Sequence, residues 1–308
     1  MTRRFLAALL TAGALVTTGF TTLSAQLSPT AEWAAHAQNA YQVIPNVTYL
    51  TANGFEARLD VYRRRDVQTP QPTLVFYHGG GWIGGTKEAS FMSVMPWLEM
   101  GWNVVNVEYR MARVSLAPAA VEDAQCALKF VVNRAKDYNI DTSKIVLSGE
   151  SAGGHLSLTT GMIPASVGFT SLCAGGGFTG NDTALPKVAA IINWYGITDV
   201  NAMLTGGPDA RAYAVQWLGS APNRDAIAKS VSPLTYVRAD LPPILSIQGD
   251  ADPIVPYSQN TRLLDALKKA GAKAELFTIP GGGHGNFKPA ERSAAYVKIR
   301  EFLKANGL

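Results

Sequence analysis

Lys144-Ile145-Val146-Leu147-Ser148-Gly149-Glu150-Ser151-Ala152-Gly153-Gly154 (residues 144–154) joins a strand signal to a helix signal across a glycine-flanked serine. The apolar residues of 145–147 are β-formers. Residues 154–162 read as a helix that stops at Gly161 and Pro164. Gly149 and Gly153 bracket Ser151 in a Gly-x-Ser-x-Gly pentad, so the chain can turn sharply from strand to helix and leave the hydroxyl at the tip. A helix N-terminus beneath that hydroxyl favours negative charge. Ser151 is therefore the candidate nucleophile.

The flanking elements repeat the same alternation. Strand signals recur at 73–77, 102–107, 188–193, 244–248 and 274–279. Helical signals fall at 88–100, 121–138, 258–270 and 289–305. Ahead of them, 47–51 and 55–62 alternate apolar and polar residues around Asn53-Gly54, the signature of a type I′ hairpin. Ser28-Pro29 starts a short helix to about residue 40. An antiparallel start followed by strand–helix alternation predicts an α/β domain over 26–308, with a mostly parallel central sheet and helices on both faces. In such a sheet ligands bind beyond the carboxyl ends of the strands. Residues 198–243 are long for a connection and contain Arg211, Tyr213 and Trp217; they are expected to form a small cap over the site.

A serine nucleophile needs a base, and the chain has four histidines. His36 precedes the core. His78 heads a glycine run, and His155 lies one helical turn beyond Ser151, behind it. His284, in Gly281-Gly282-Gly283-His284-Gly285, directly follows a strand and reaches the same sheet end as Ser151. The carboxylate that orients the imidazole has two candidates, Asp250 and Asp252, in Gln248-Gly249-Asp250-Ala251-Asp252-Pro253. Asp199 reads as a helix cap. His78-Gly79-Gly80-Gly81-Trp82 follows another strand, and its glycines let backbone N–H groups approach a developing oxyanion. Gly80, Gly81 and Ala152 are assigned that role. The Lys-Ser/Thr pair of a phosphate-binding loop is missing. Trp82 is a candidate contact for an acyl or aromatic group, or else a structural aromatic. This chemistry calls for no metal and no organic cofactor.

The 47% hydrophobic and 16% charged residues of the 308-residue chain describe a globular protein with ample core and exclude a disordered one. Arg3-Arg4, an apolar run over 5–16 and small residues up to Ala25 have the pattern of a cleaved export signal over 1–25. The run is too short for the roughly 20 apolar residues of a bilayer span, so no stable membrane insertion is expected. Losing that segment removes two arginines and no acid, which takes the net charge from +4 to +2 and gives no footing for nucleic acid. Cys126 and Cys173 are the only cysteines. In the helix over 121–138, Val121, Ala124, Leu128, Val131, Ala135 and Tyr138 mark one apolar face and Cys126 falls nearly opposite. A covering segment carrying Cys173 would explain that position. In an exported chain the two are expected to form a disulfide, against the alternative of two free thiols.

His78–Trp82, Glu108-Tyr109-Arg110, Ala119-x-x-Glu122-Asp123, the Gly149–Gly154 run, Gly249-Asp250-Ala251-Asp252-Pro253-Ile254-Val255-Pro256 and the 281–285 run together resemble the α/β-hydrolase esterases of the hormone-sensitive-lipase and feruloyl/acetyl-esterase (BD-FAE-like) groups. The resemblance reaches from residue 46 to the C-terminus. It implies an α/β-hydrolase fold, a Ser151–Asp252–His284 triad with Asp252 preferred to Asp250, and hydrolysis of short-chain or aromatic carboxyl esters. The substrate would be a small molecule or a polymer-attached ester, and the protein secreted or periplasmic. The same constellation cleaves amides, so a serine exopeptidase or amidase is the first alternative; a non-catalytic binding protein on this fold is the second. Residues 108–114 and Gln248 depart from the commonest forms of these groups, which bears on substrate and not on the triad.

Overall fold

The computed structural model describes residues 27–175 and 185–308; the leader expected at 1–25 lies outside them. Helix α1 (Pro29–Ala40) is capped by the Ser28 hydroxyl, which accepts from the Ala31 N–H. Strands β1 (Tyr41–Ala52) and β2 (Phe55–Arg64) form the antiparallel hairpin. Asn53 (φ 52°) and Gly54 (φ 78°) both take the left-handed conformation its tight turn requires. Strand β1 begins six residues earlier than its alternation suggests, because a pairing irregularity between Ile44 and Val47 interrupts the pattern.

The alternating part follows: β3 (Gln71–Tyr77), α2 (Phe91–Glu99), β4 (Asn103–Val107), α3 (Ala119–Asn133), β5 (Ile140–Glu150), α4 (Ala152–Met162) and β6 (Ala190–Trp194). After α5 (Val200–Leu204), α6 (Pro208–Leu218) and α7 (Arg224–Ser230), the series closes with β7 (Ile244–Gly249), α8 (Ser258–Ala270), β8 (Ala274–Ile279) and α9 (Pro289–Ala305). The eight strands form one sheet in the order β1-β2-β4-β3-β5-β6-β7-β8. Pairing is antiparallel at β1–β2 and β2–β4 and parallel elsewhere. The α/β architecture read from the strand–helix alternation is the one observed.

Strand residues are buried on both faces, as a doubly covered sheet demands. Val75, Tyr77, Ile145 and Leu147 pack into the core beneath α3 and the 198–231 helices, while Leu74, Phe76, Val146 and Ile192 face α2 and α9. Cys126 of α3 and Cys173 form a disulfide, so the bond is made that the sequence had left open against two free thiols, and the segment bearing Cys173 packs on α3. Among the described residues, no helix is long and apolar enough to cross a membrane.

Candidate active site

The centre of the sheet delivers Ser151. Strand β5 lies between β3 and β6, and α4 starts one residue after the serine. Ser151 has φ 55° and ψ −116°, a conformation that non-glycine residues rarely adopt and that surrounding structure must impose. Its N–H donates to the Trp194 carbonyl at 2.9 Å, and its carbonyl accepts from the His155 N–H at 2.9 Å. The flanking glycines are required by contact. A Cβ on Gly149 would stand 2.4 Å from the Gly153 carbonyl group, and one on Gly153 would stand 1.9 Å from the Tyr77 carbonyl oxygen. Backbone thus touches backbone where β3, β5 and α4 meet.

Two other strand ends supply the partners. The loop after β8 places His284 Nε2 2.8 Å from Ser151 Oγ. The loop after β7 places Asp252 Oδ2 2.8 Å from His284 Nδ1. The second oxygen, Asp252 Oδ1, accepts the N–H groups of Ile254 and Val255 at 2.9 Å each. This carboxylate is fully buried, and its hydrogen bonds fix the plane in which the imidazole sits. Asp250, two residues away, binds the Gly281 N–H at 2.6 Å and ties the β7 loop to the β8 loop. Asp199 caps α5 through the Ala202 N–H. Geometry therefore separates carboxylates that spacing alone had left as alternatives.

Ser151 and His284 open into a cavity of about 210 Å³. The glycines 79–81 form one wall, with Glu150, Tyr195, Tyr213 and Ile254 around the remainder. Gly80 (φ 120°) and Gly81 (φ 59°) need glycine's freedom, and a Cβ on Gly81 would meet the Tyr213 ring at 2.2 Å. The Ala152 N–H opens α4 and has no acceptor within its helix. The glycine loop is held from behind. Tyr109 donates its O–H to the His78 carbonyl at 2.9 Å, and Arg110 binds Asp123 through two nitrogens at 2.9 and 2.7 Å. Those bonds give the 108–110 and 119–123 motifs their physical meaning.

Trp82 is not brought to the cavity. It is fully buried, stacks on Trp217 with ring centroids 4.1 Å apart, and donates its indole N–H to His155 Nδ1 at 3.2 Å. The expected substrate contact is corrected to a structural aromatic; the indole follows the glycine loop in sequence but turns inward at φ 60°. Tyr213, Tyr195, Glu150 and Ile254 line the cavity instead. Tyr195 directly follows β6, where the strand-end rule already points. Its ring meets His284 edge-on at 4.9 Å, and burial pushes its phenol well above the ordinary range. A larger, mainly apolar groove of about 510 Å³ runs along α9 beside Met100 and Trp102 but is lined by no serine, cysteine or histidine, so chemistry and not size locates the site.

A serine on a strained strand-to-helix turn, followed in the chain by an aspartate and a histidine at neighbouring strand ends of a mostly parallel sheet, defines the α/β-hydrolase class. Within it the chain belongs to the BD-FAE family, whose model matches residues 59–267. The chain is similar to Esterase LipQ of Mycobacterium tuberculosis (strain ATCC 25618 / H37Rv), at 29% identity over 241 residues, covering 75% of this chain and 54% of that protein. It thus spans about half the length of the curated relatives it matches. Among solved structures, a truncated form of a carbohydrate esterase from gut microbiota superposes with a TM-score of 0.72 at 28% identity, over 87% of this chain and 98% of that one. Thermogutta terrifontis esterase 2 phosphoramylated by tabun gives 0.70 at 25% identity, over 87% and 95%.

Proposed function

We propose that the protein is a serine carboxylesterase in which Ser151, His284 and Asp252 act as nucleophile, base and orienting carboxylate. The observation that carries this is the unbroken line Ser151 Oγ–His284 Nε2 and His284 Nδ1–Asp252 Oδ2, 2.8 Å at each step, opening on the glycine-walled cavity. The carboxylate can only accept, so it holds the proton on Nδ1 and leaves the Nε2 lone pair facing the serine. Ser151 Oγ attacks the ester carbonyl as Nε2 takes its proton. The N–H groups of Gly80, Gly81 and Ala152 receive the oxyanion. His284 then gives the proton to the leaving alcohol, and water repeats the sequence to release the acid. His284 must be neutral to accept the proton, so activity falls on acidification.

A cavity of about 210 Å³ suits a short or compact acyl group, with the bulk of the alcohol outside it. A small-molecule ester or one attached to a polymer would both fit that arrangement, and the carbohydrate-esterase neighbour supports the second. Helices α5–α7 act as a small cap, of which Tyr213 is the inward-facing part. Residues 1–25 act as an export signal, and the Cys126–Cys173 bond supports a secreted or periplasmic location. The relatives' names support ester over amide.

A fluorophosphonate probe tests the chemistry, and the organophosphorus adduct of the Thermogutta esterase supports the choice. Wild type should label once, and Ser151→Ala should not. Equal labelling of the two would refute the assignment. Aryl esters of increasing acyl length, beside amino-acid arylamides, separate the substrate classes: turnover highest on the arylamides would favour the amidase.

A further inference from the structure

We infer that Arg292 is a positioning residue, its guanidinium tying the residue before Ser151 to the residue after His284; the inference rests on the catalytic reading above. The reacting pair sits on segments held in different ways. The serine turn is fixed by backbone packing at Gly149 and Gly153 and by the Ser151–Trp194 hydrogen bond. On the N-terminal side of His284, the loop is anchored by Gly282 N–H to the Ile279 carbonyl and by Gly281 N–H to Asp250.

On its other side the anchor is Arg292, which reaches back from the first turns of α9. Its Nη2 donates to the Gly285 carbonyl at 2.9 Å, while Nη1 stands 3.4 Å from Glu150 Oε1. The same guanidinium lies 5.7 Å from the ring centroids of Trp194 and Phe287. Trp194 is the residue whose carbonyl holds the Ser151 N–H, so one planar group spans both halves of the reacting pair.

Arginine's rigid fork can serve two acceptors in different directions while its face lies against aromatic rings; a lysine ammonium on a flexible stem does not reproduce that. The Arg292 side chain is 35% exposed and the Glu150 side chain 23%, so the ion pair adds little to stability. Its effect falls on geometry. Freeing Gly285 lets His284 Nε2 drift from Ser151 Oγ, and misplacement by about 1 Å can cost about 10²-fold in rate.

The test uses the full chain as wild type, Arg292→Lys, Arg292→Gln and Ser151→Ala. Three readouts are taken: the rate and end point of fluorophosphonate labelling, kcat and KM on an aryl acetate, and the thermal midpoint. Both Arg292 variants are expected to label to one probe per chain but about 10- to 100-fold more slowly, with kcat lowered to match and KM nearly unchanged. The midpoint should move by about 2 °C or less. Wild-type rates in Arg292→Gln would overturn the inference and leave the triad standing. So would full recovery in Arg292→Lys, since charge alone would then suffice. A lowered end point with an unchanged rate in the labelled fraction would show a folding role instead, and also overturn it. Wild type that does not label, or Ser151→Ala that does, removes the catalytic reading and this inference with it.

Discussion

Ser151 stands between two histidines, and the regions that carry them have made opposite uses of one side chain. In front, His284 sits on a loop, partly exposed, with a carboxylate on one nitrogen and a hydroxyl on the other. Behind, His155 is fully buried among Trp82 and Trp217, with the indole N–H of Trp82 on Nδ1 and the Val231 carbonyl on Nε2 at 2.7 Å. The indole can only donate and the carbonyl can only accept, so the Nε2–H tautomer is imposed. Burial pushes this imidazole down to about 4, so it stays neutral through the range in which histidines ordinarily charge. Surroundings, not residue type, decide which histidine is placed to exchange a proton with Ser151.

The sharpest way to break the comparison is to remove each ring in turn. His284→Ala should lower kcat/KM by about 10⁴-fold with an unchanged thermal midpoint. A loss under tenfold, read by steady-state kinetics on an aryl ester, would deny the front histidine its role. The carboxylates give the next largest effect: Asp252→Asn should cost about 10²- to 10⁴-fold because the amide no longer imposes the productive tautomer. Asp250→Asn should cost only a few-fold, since it retains an oxygen for the Gly281 N–H. Equal losses at the two positions would contradict the geometry.

The rear histidine should act on stability. Its folded value lies below the ordinary 6.5, so the unfolded chain binds the proton first as pH falls. His155 is neutral in both states above about pH 6.5. Between there and about pH 4 it should cost about 3 kcal/mol of stability, after which the loss levels off. Urea unfolding of wild type and His155→Gln across that window checks this; identical slopes would sink it. The smallest effect on catalysis belongs to Trp82→Phe, which keeps one aromatic ring but removes the other half of the indole and with it the donor to His155. It should cost about 2–4 kcal/mol of stability, from the lost hydrogen bond and the cavity left by the smaller ring, and leave KM unchanged. A raised KM would return Trp82 to the substrate.

The legible parts of this site were those whose chemistry has few solutions. Ser151 follows from strand, glycines and helix together, and His284 from the positions of the other three histidines. Asp252 was not separable from Asp250 by spacing, because two residues of loop do not say which carboxylate turns inward; the Ile254 and Val255 N–H groups make that choice in space. Trp82 was open between a substrate contact and a structural aromatic because adjacency in the chain does not fix adjacency in space. Tyr195 and Ile254 are placed by strand ends and loop shape, whereas Tyr213 arrives from α6, inside the 198–243 segment expected to cap the site, though no local pattern says which of its aromatics faces the cavity. In the fold, element order was readable from periodicity. The insertion of β4 between β2 and β3 was not, since pairing depends on partners distant in sequence. The expected start of α2 at Glu88 gives way to Phe91, after a turn over 87–90 in which buried Lys87 pairs with Asp60.

The contact between Gly153 and the Tyr77 carbonyl also bears on how this sequence can change. Under random substitution with selection for activity, positions 149 and 153 should stay frozen, since even a methyl group has nowhere to go. Gly283, beside His284, has an unstrained backbone and open space around it. Glycines of one kind in composition are thus of two kinds in evolvability. The serine's half of the site would preserve its ancestry letter by letter; in the histidine's half Gly281, Gly282 and Gly285 are held by positive φ or close contact, and position 283 is the one of the four that could be rewritten.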